Sequence, residues 1–194
     1  MDLNFKNKSV AVVGSSGNLL NKEAGEEIDS HDIVIRFNQA RVEGYEKYVG
    51  SRTDIRILNT HTFLGKTGND RFPKNDPQFT TKLDGELLIV NRPVPYESIK
   101  QRSPNCEVQF ISDQFWNHCR AVLENRKDPS IGFLGVFLAS HTSTEVDVYG
   151  FDQNNSTDKK HYWEDVRAMG KHHDFSLEKA VFKQMINQNV INIK

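Results

Sequence analysis

The sequence predicts an α/β fold, a doubly wound, mostly parallel sheet flanked by helices, in one domain spanning residues 1–194. Three observations point there. Short apolar runs recur as continuous aliphatic patches rather than strict alternation, the pattern of strands covered on both faces. Helical stretches lie between them. The first run, VAVV at Val10–Val13, enters a turn of small residues, GSSGN at Gly14–Asn18, as in α/β proteins that present backbone N–H groups at a helix start.

The elements follow in order. After Val10–Val13 comes a polar helical stretch, Leu19–Glu27, and then the aliphatic runs Ile33–Phe37, Ile55–Leu58, Leu87–Val90 and Val108–Ile111, each read as a strand. Ser112 caps a helix over Asp113–Asn125, and the DPS of Asp128–Ser130 opens another over Gly132–His141. Val146–Tyr149 is the sixth strand. In Phe175–Gln188, Leu177, Val181 and Met185 recur at four-residue steps with Phe182 and Ile186 beside them, one apolar face of a helix packed on a core. Leu64–Glu86 and Asp152–Lys160 are polar and read as loops. The second separates a strand end from a histidine, where open α/β sheets bind ligands, and fits a lid.

Composition excludes several classes. With 25 basic and 26 acidic side chains the net charge is -1, which does not suit a nucleic-acid binder. No stretch approaches the roughly 18 apolar residues of an integral membrane segment, and MDLNFKNKSV lacks the apolar core of a signal peptide. Two cysteines, Cys106 and Cys119, stand in no metal-type spacing, so a reducing cytoplasm is the expected home.

The turn after Val13 matches neither G-x-G-x-x-G nor a P-loop, leaving a phosphate site and a plain tight turn both open. Of seven histidines, His118 and His141 fall within helices, His61 lies just past a strand, and His31 precedes one; each has an ordinary structural role available. His161 in HYWED and the pair His172 and His173 in KHHDFSLE cluster late, beside polar loops and helix starts. Asp174 is a natural N-cap, and Glu178 near the first turn suits the helix dipole. Neither explains His173. A metal site has ligand types in His161, His172, His173 and Glu178, yet there is no H-E-x-x-H and no D-x-D; Glu145 and Asp147 come nearest. No G-x-S-x-G occurs, and Cys119 beside His118 points elsewhere on a helix.

Four segments, in order, resemble the four sialylmotifs of the eukaryotic-type sialyltransferases, glycosyltransferase family 29. The large motif resembles Val10–Thr53, the small motif Pro129–Phe151, the third HYWE at His161–Glu164, and the very small motif His173 with Glu178 five positions on. The resemblance implies a GT-A-like variant of the Rossmann fold and an inverting, metal-independent transferase with no cofactor. Its donor would be CMP-sialic acid or CMP-Kdo, its acceptor a hydroxyl of a glycan. It implies donor binding by Ser15, Ser16, Asn18, Asn38, Ser130, Gly132, Gly150 and Phe151. His161 would stabilise the phosphate, and His173 would act as catalytic base with Glu178 settling the helix start. Three departures stand out. Ser15 replaces the family's asparagine, and Ile131 its threonine or serine. Val10 and Ser143 occupy the positions of the two cysteines bridged in animal members. The alternative is a catalytically inactive CMP or CMP-sugar binding module: retention of His161 and His173 speaks for the enzyme, Ser15 and Ile131 for the module.

Overall fold

The computed structural model describes residues 3–64, 85–151, 161–163 and 173–194. The expected loops at Leu64–Glu86 and Asp152–Lys160, and the lid reading of the second, lie almost wholly outside the described residues. Among the described residues the strands are β1 (Ser9–Val13), β2 (Ile33–Phe37), β3 (Ile55–Leu58), β4 (Leu87–Val90), β5 (Glu107–Phe110), β6 (Glu145–Tyr149) and β7 (Asn192–Ile193). They form one sheet in the order β5-β4-β3-β2-β1-β6-β7, with every pairing parallel. The chain builds outward from β1 to β5, then returns to place β6 on the other flank of β1. That reversal makes a topological switch point between β1 and β6, where a crevice forms at the carboxyl ends of the strands. β1 and β6 pair along their whole length, from Ser9 opposite Glu145 to Val13 opposite Tyr149.

Helices cover both faces. On one, α5 (Asp113–Val122), α6 (Ile131–Thr142) and α7 (Phe175–Asn187) bury Trp116, Cys119, Phe133, Val136, Phe182 and Met185 against Val10, Val12, Ile35, Ile57 and Val148. On the other, α1 (Gly25–Asp29) and α2 (Glu46–Val49) pack Ala24, Ile28 and Val49 over Ala11, Val13, Val34 and Tyr149. Further along that face, α3 (Thr60–Phe63) and α4 (Tyr96–Arg102) cover Leu58, Leu88 and Val90 with Phe63 and Ile99. Both strand faces are thus buried, which is why the strands read as aliphatic runs. Every residue of α6 from Phe133 to Ala139 is buried, so this helix lies central over the sheet.

The helix expected over Leu19–Glu27 is two pieces: a 3₁₀ turn, Gly17–Asn21, and α1, which begins only at Gly25. Lys22 between them is extended, at φ -140° and ψ 134°. A Cβ at Gly25 would come within 2.0 Å of the Glu46 carbonyl oxygen, so the start of α1 is fixed by its approach to α2. The helix expected over Asp113–Asn125 stops at Val122, because Glu124 and Asn125 take left-handed φ values of 53° and 56°.

Candidate active site

The residues singled out at the turn after β1 do come together with those after β6. Gly14 donates its N–H to the Tyr149 carbonyl (2.7 Å) and Ser16 to that of Gly150 (3.1 Å), so the two strand ends leave the sheet side by side. The Ser16 hydroxyl accepts the Asn18 N–H at 3.3 Å and caps the 3₁₀ turn. The Asn18 Oδ1 is buried with no hydrogen-bond partner among the described residues. A buried acceptor left unpaired is costly, and a ligand hydroxyl or amine at this edge would satisfy it. Phe151 stands edge-on to Phe37 (6.1 Å between centroids) and to Phe182 (5.6 Å). Its ring fills the space a side chain would need at Gly132: a Cβ there would lie 3.0 Å from it. Gly132 therefore admits Phe151 into the crevice.

His161 reaches this edge through its neighbour. The Tyr162 N–H donates to the Ser15 carbonyl at 2.9 Å, the Tyr162 ring is buried against Tyr45 (5.0 Å), and its hydroxyl donates to the Arg41 carbonyl. Burial pushes the Tyr162 phenol up to about 12, so it remains a donor at neutral pH. The His161 ring lies flat on Trp163, 4.6 Å away and 5° from parallel. Thus Ser15 meets the histidine segment through its backbone. Glu164 of the third motif and His172 lie outside the described residues.

Along the other side of the crevice three successive strands are each followed by an asparagine. Asn38 follows β2, Asn59 follows β3 and Asn91 follows β4. The Asn38 Oδ1 accepts the Asn59 backbone N–H (3.0 Å) and the Asn59 Nδ2 (3.1 Å), which fixes the amide's orientation. With Oδ1 turned to Asn59, Nδ2 is the amide atom on the other side of the group. The Asn59 Oδ1 caps α3 by accepting from Thr62 N (2.7 Å), and the Asn91 Oδ1 accepts from Thr60 N (2.8 Å). Reading motifs one at a time passes over Asn59 and Asn91; their signal is the repetition, an asparagine directly after each of three successive aliphatic runs.

The starts of α6 and α7 are tied to each other. Glu178, 4% exposed, reaches across from α7: its carboxylate accepts the Ser130 N–H and the Ser130 hydroxyl, both at 2.7 Å. Ser130 also caps α6, its Oγ accepting from Phe133 N at 3.0 Å. Glu178 was expected to settle its own helix start. Instead it holds the start of α6, while Asp174 caps α7 by accepting from Leu177 N (3.1 Å). With Ser130 engaged, the first-turn N–H groups of α6 that remain for a ligand are those of Ile131 and Gly132. Burial pushes the Glu178 carboxyl above its ordinary value of 4.5, against the bonds from Ser130 and the field of His173. His173, one residue before the cap, bonds through Nδ1 to the Asp128 carbonyl at 2.8 Å and stands edge-on to Phe175. A carbonyl only accepts, so Nδ1 is the donor in this bond.

The predicted residues thus form one continuous patch at the carboxyl edge. It runs from Asn38 and Phe37 through Phe151 to Gly132, Ser130 and His173, and from Gly150 through Ser16 and Ser15 to His161. Among the described residues, no group of three or more His, Cys, Asp or Glu stands close enough to hold a metal ion. No helix among them is long and apolar enough to cross a membrane. Val10 is fully buried, and the Ser143 hydroxyl bonds to the Lys8 carbonyl at 2.7 Å, while Cys106 and Cys119 are not joined in a disulfide.

The family model described as glycosyltransferase family 29 (sialyltransferase) matches residues 4–190. The chain is 32% identical over 92% of its length to a beta-galactoside alpha-2,6-sialyltransferase 2 of Bos taurus. It is 32% identical over 91% to a CMP-N-acetylneuraminate-beta-galactosamide-alpha-2,3-sialyltransferase 2 of Mus musculus. It spans 41% of the first relative and 52% of the second. A crystal structure of a mammalian sialyltransferase superimposes with a TM-score of 0.72 at 26% identity, covering 96% of this chain and 68% of that one. A second, in complex with Gal-beta-1-3GalNAc-ortho-nitrophenol, gives 0.70 at 26% identity, covering 96% and 69%. With a family model matching nearly the whole chain, on a seven-stranded parallel sheet whose carboxyl edge gathers the expected residues, the chain belongs to glycosyltransferase family 29.

Proposed function

We propose that this protein transfers sialic acid, or a related acid such as Kdo, from its CMP donor to a hydroxyl of a glycan, with inversion and without a metal ion. The observation that carries the reading is the hydrogen bond from His173 Nδ1 to the Asp128 carbonyl, which orients the ring so that Nε2 is the nitrogen a neutral imidazole would offer as base. In the proposed step Nε2 takes the proton of the acceptor hydroxyl as its oxygen bonds to the anomeric carbon. The bond from that carbon to the CMP phosphate oxygen breaks, and the electron pair leaves with CMP. Attack opposite the leaving group inverts the centre. His161 donates to the phosphate as charge grows there, and the N–H groups of Ile131 and Gly132, at the positive end of the α6 dipole, face the same charge. A positioned base and a positioned donor each supply roughly 10²–10⁴-fold in rate.

Donor contacts are proposed for Ser15, Ser16, Asn18, Asn38, Gly132, Gly150 and Phe151, with Ser130 placing the start of α6 rather than donating itself, supported by their gathering on one edge and by an Asn18 Oδ1 without a partner among the described residues. Metal independence is supported by the absence of D-x-D from the whole sequence. A reducing compartment, the cytoplasm, is proposed on two cysteines that form no disulfide and on Val10 and Ser143 at the positions where the resemblance implies a bridged pair. The second reading, a CMP-binding module without transfer, is favoured by Ser15 and Ile131. The test is release of CMP from CMP-sialic acid and from CMP-Kdo, with β-galactosides as first acceptors because the relatives' names specify them. Turnover that persists in excess EDTA supports the proposal. CMP binding without turnover of either donor supports the module, and loss in EDTA restored by Mn²⁺ contradicts metal independence.

A further inference from the structure

A buried ion pair outside the sialylmotifs holds one side of the crevice. Arg56 in β3 is 6% exposed and Glu86, just before β4, is 7% exposed. Their contact is bidentate: Arg56 Nε donates to Glu86 Oε2 at 2.6 Å and Nη2 to Oε1 at 2.8 Å. That fixes the plane of the guanidinium and aims Nη1 the other way. Nη1 donates to the Asn38 carbonyl at 3.0 Å and to that of Ala40 at 3.3 Å. Asn38 needs such an anchor, for its φ is +45°, a conformation that L residues seldom hold and asparagine tolerates best. Its other tethers run to β3 and the residue that follows it: its N–H donates to the Ile57 carbonyl (2.9 Å), and its Oδ1 accepts from Asn59. Arg56 is the charged member of that set. It stands beside Arg36 in the β2–β3 ladder, also buried, and Glu86 bonds Arg56 while Arg36 bonds the backbone of Val49 and Arg52.

We propose that Arg56, oriented by Glu86, is a positioning residue of the donor site: it holds Asn38 in its left-handed conformation so that Nδ2 faces the nucleotide of a CMP donor. The inference rests on the reading of this edge as the donor site. Lysine at 56 keeps the charge and one bond to Glu86, but a single ammonium group cannot grip Glu86 and both carbonyls in one plane.

The experiment is calorimetric titration of CMP into the wild type, Asn38→Ala, Arg56→Lys and Glu86→Gln, with donor KM and kcat measured on the same samples. Arg52→Lys serves as the control, since Arg52 bonds the carbonyls of Asp29, His31 and Asp32 at the amino ends of the strands. Arg56→Lys should weaken CMP binding about tenfold or more, the scale of losing charge-assisted hydrogen bonds. Donor KM should rise in parallel while kcat at saturating donor stays near wild type. Glu86→Gln should shift both the same way by a smaller factor, and it carries the test if Arg56→Lys does not fold. Arg52→Lys should lower the melting temperature and leave CMP affinity unchanged. If Asn38→Ala weakens binding but neither Arg56→Lys nor Glu86→Gln does, the inference is wrong and the donor site stands. If the wild type binds no CMP, the donor reading falls and takes the inference with it.

Discussion

The Glu178 carboxyl sits where water hardly reaches, and the two bonds from Ser130 hold it there. Burial raises its folded pKa above the ordinary 4.5. Between those two values the folded chain binds more protons than the unfolded one. Stability from this group therefore falls as pH rises from about 4.5 through the folded pKa, and is flat beyond it. Glutamine has the same shape, accepts the Ser130 N–H and never ionises. Glu178→Gln should thus remove that decline, so that its stability relative to wild type increases across the window when unfolding is followed by denaturant at several pH values. A difference that stays constant from acid to neutral pH contradicts the buried-charge account. None of this was legible in the sequence, where Glu178 fitted the dipole of its own helix. Its partner stands 48 residues away, and local rules say nothing of such a contact.

The strands were legible as elements because both faces of the sheet are covered, so each reads as an aliphatic run whose position needs no partner to identify. What escaped is short or shaped by contact. β7 has two residues, α2 and α3 four each, and the split of Leu19–Glu27 follows from Gly25 meeting α2. The placement of α6 over β2 is another contact effect, and it sets the position of Ser130 at the helix start. A Cβ at Gly135 would lie 2.2 Å from the Phe37 ring, which is itself buried and backed by Phe151. Gly135→Ala must therefore lift α6 or displace Phe37. A loss of about 1–3 kcal/mol is expected, the usual scale of overpacking a filled core. An unchanged or raised unfolding midpoint in urea means that the ring has room to move and α6 is not seated as described.

At the scale of the molecule, the sheet brings residues from Ser15 to His173 to one edge without any covalent tie between its halves. Val10 sits at the centre of the aliphatic core and Ser143 in a backbone hydrogen bond, where animal relatives are bridged. Two free thiols are expected in the unfolded chain without reductant. In the native protein Cys119 should react far more slowly than Cys106, because it is buried and its thiol is pushed up to about 12. Reductant should leave the melting temperature unchanged, and a clear drop would reveal a structural disulfide. The edge itself was legible only in part: the sialylmotifs point to the histidines and the β1 turn, while the row Asn38, Asn59 and Asn91 becomes a site only once the parallel order β2, β3, β4 sets them side by side.

The central claim is that His173 is the base and His161 the phosphate's partner on a donor site that binds CMP. One paired measurement tests it most directly: CMP affinity by calorimetry and sugar transfer from CMP-sialic acid, for the wild type, His173→Ala and His161→Ala. His173→Ala should keep CMP affinity nearly intact while transfer falls by roughly two or more powers of ten, with the deficit easing as pH rises and hydroxide substitutes for the base. His161→Ala should lose both affinity and turnover, since its partner is charged in the ground state and more so in the transition state. Near wild-type transfer by His173→Ala, or unchanged CMP affinity in His161→Ala, would contradict the account.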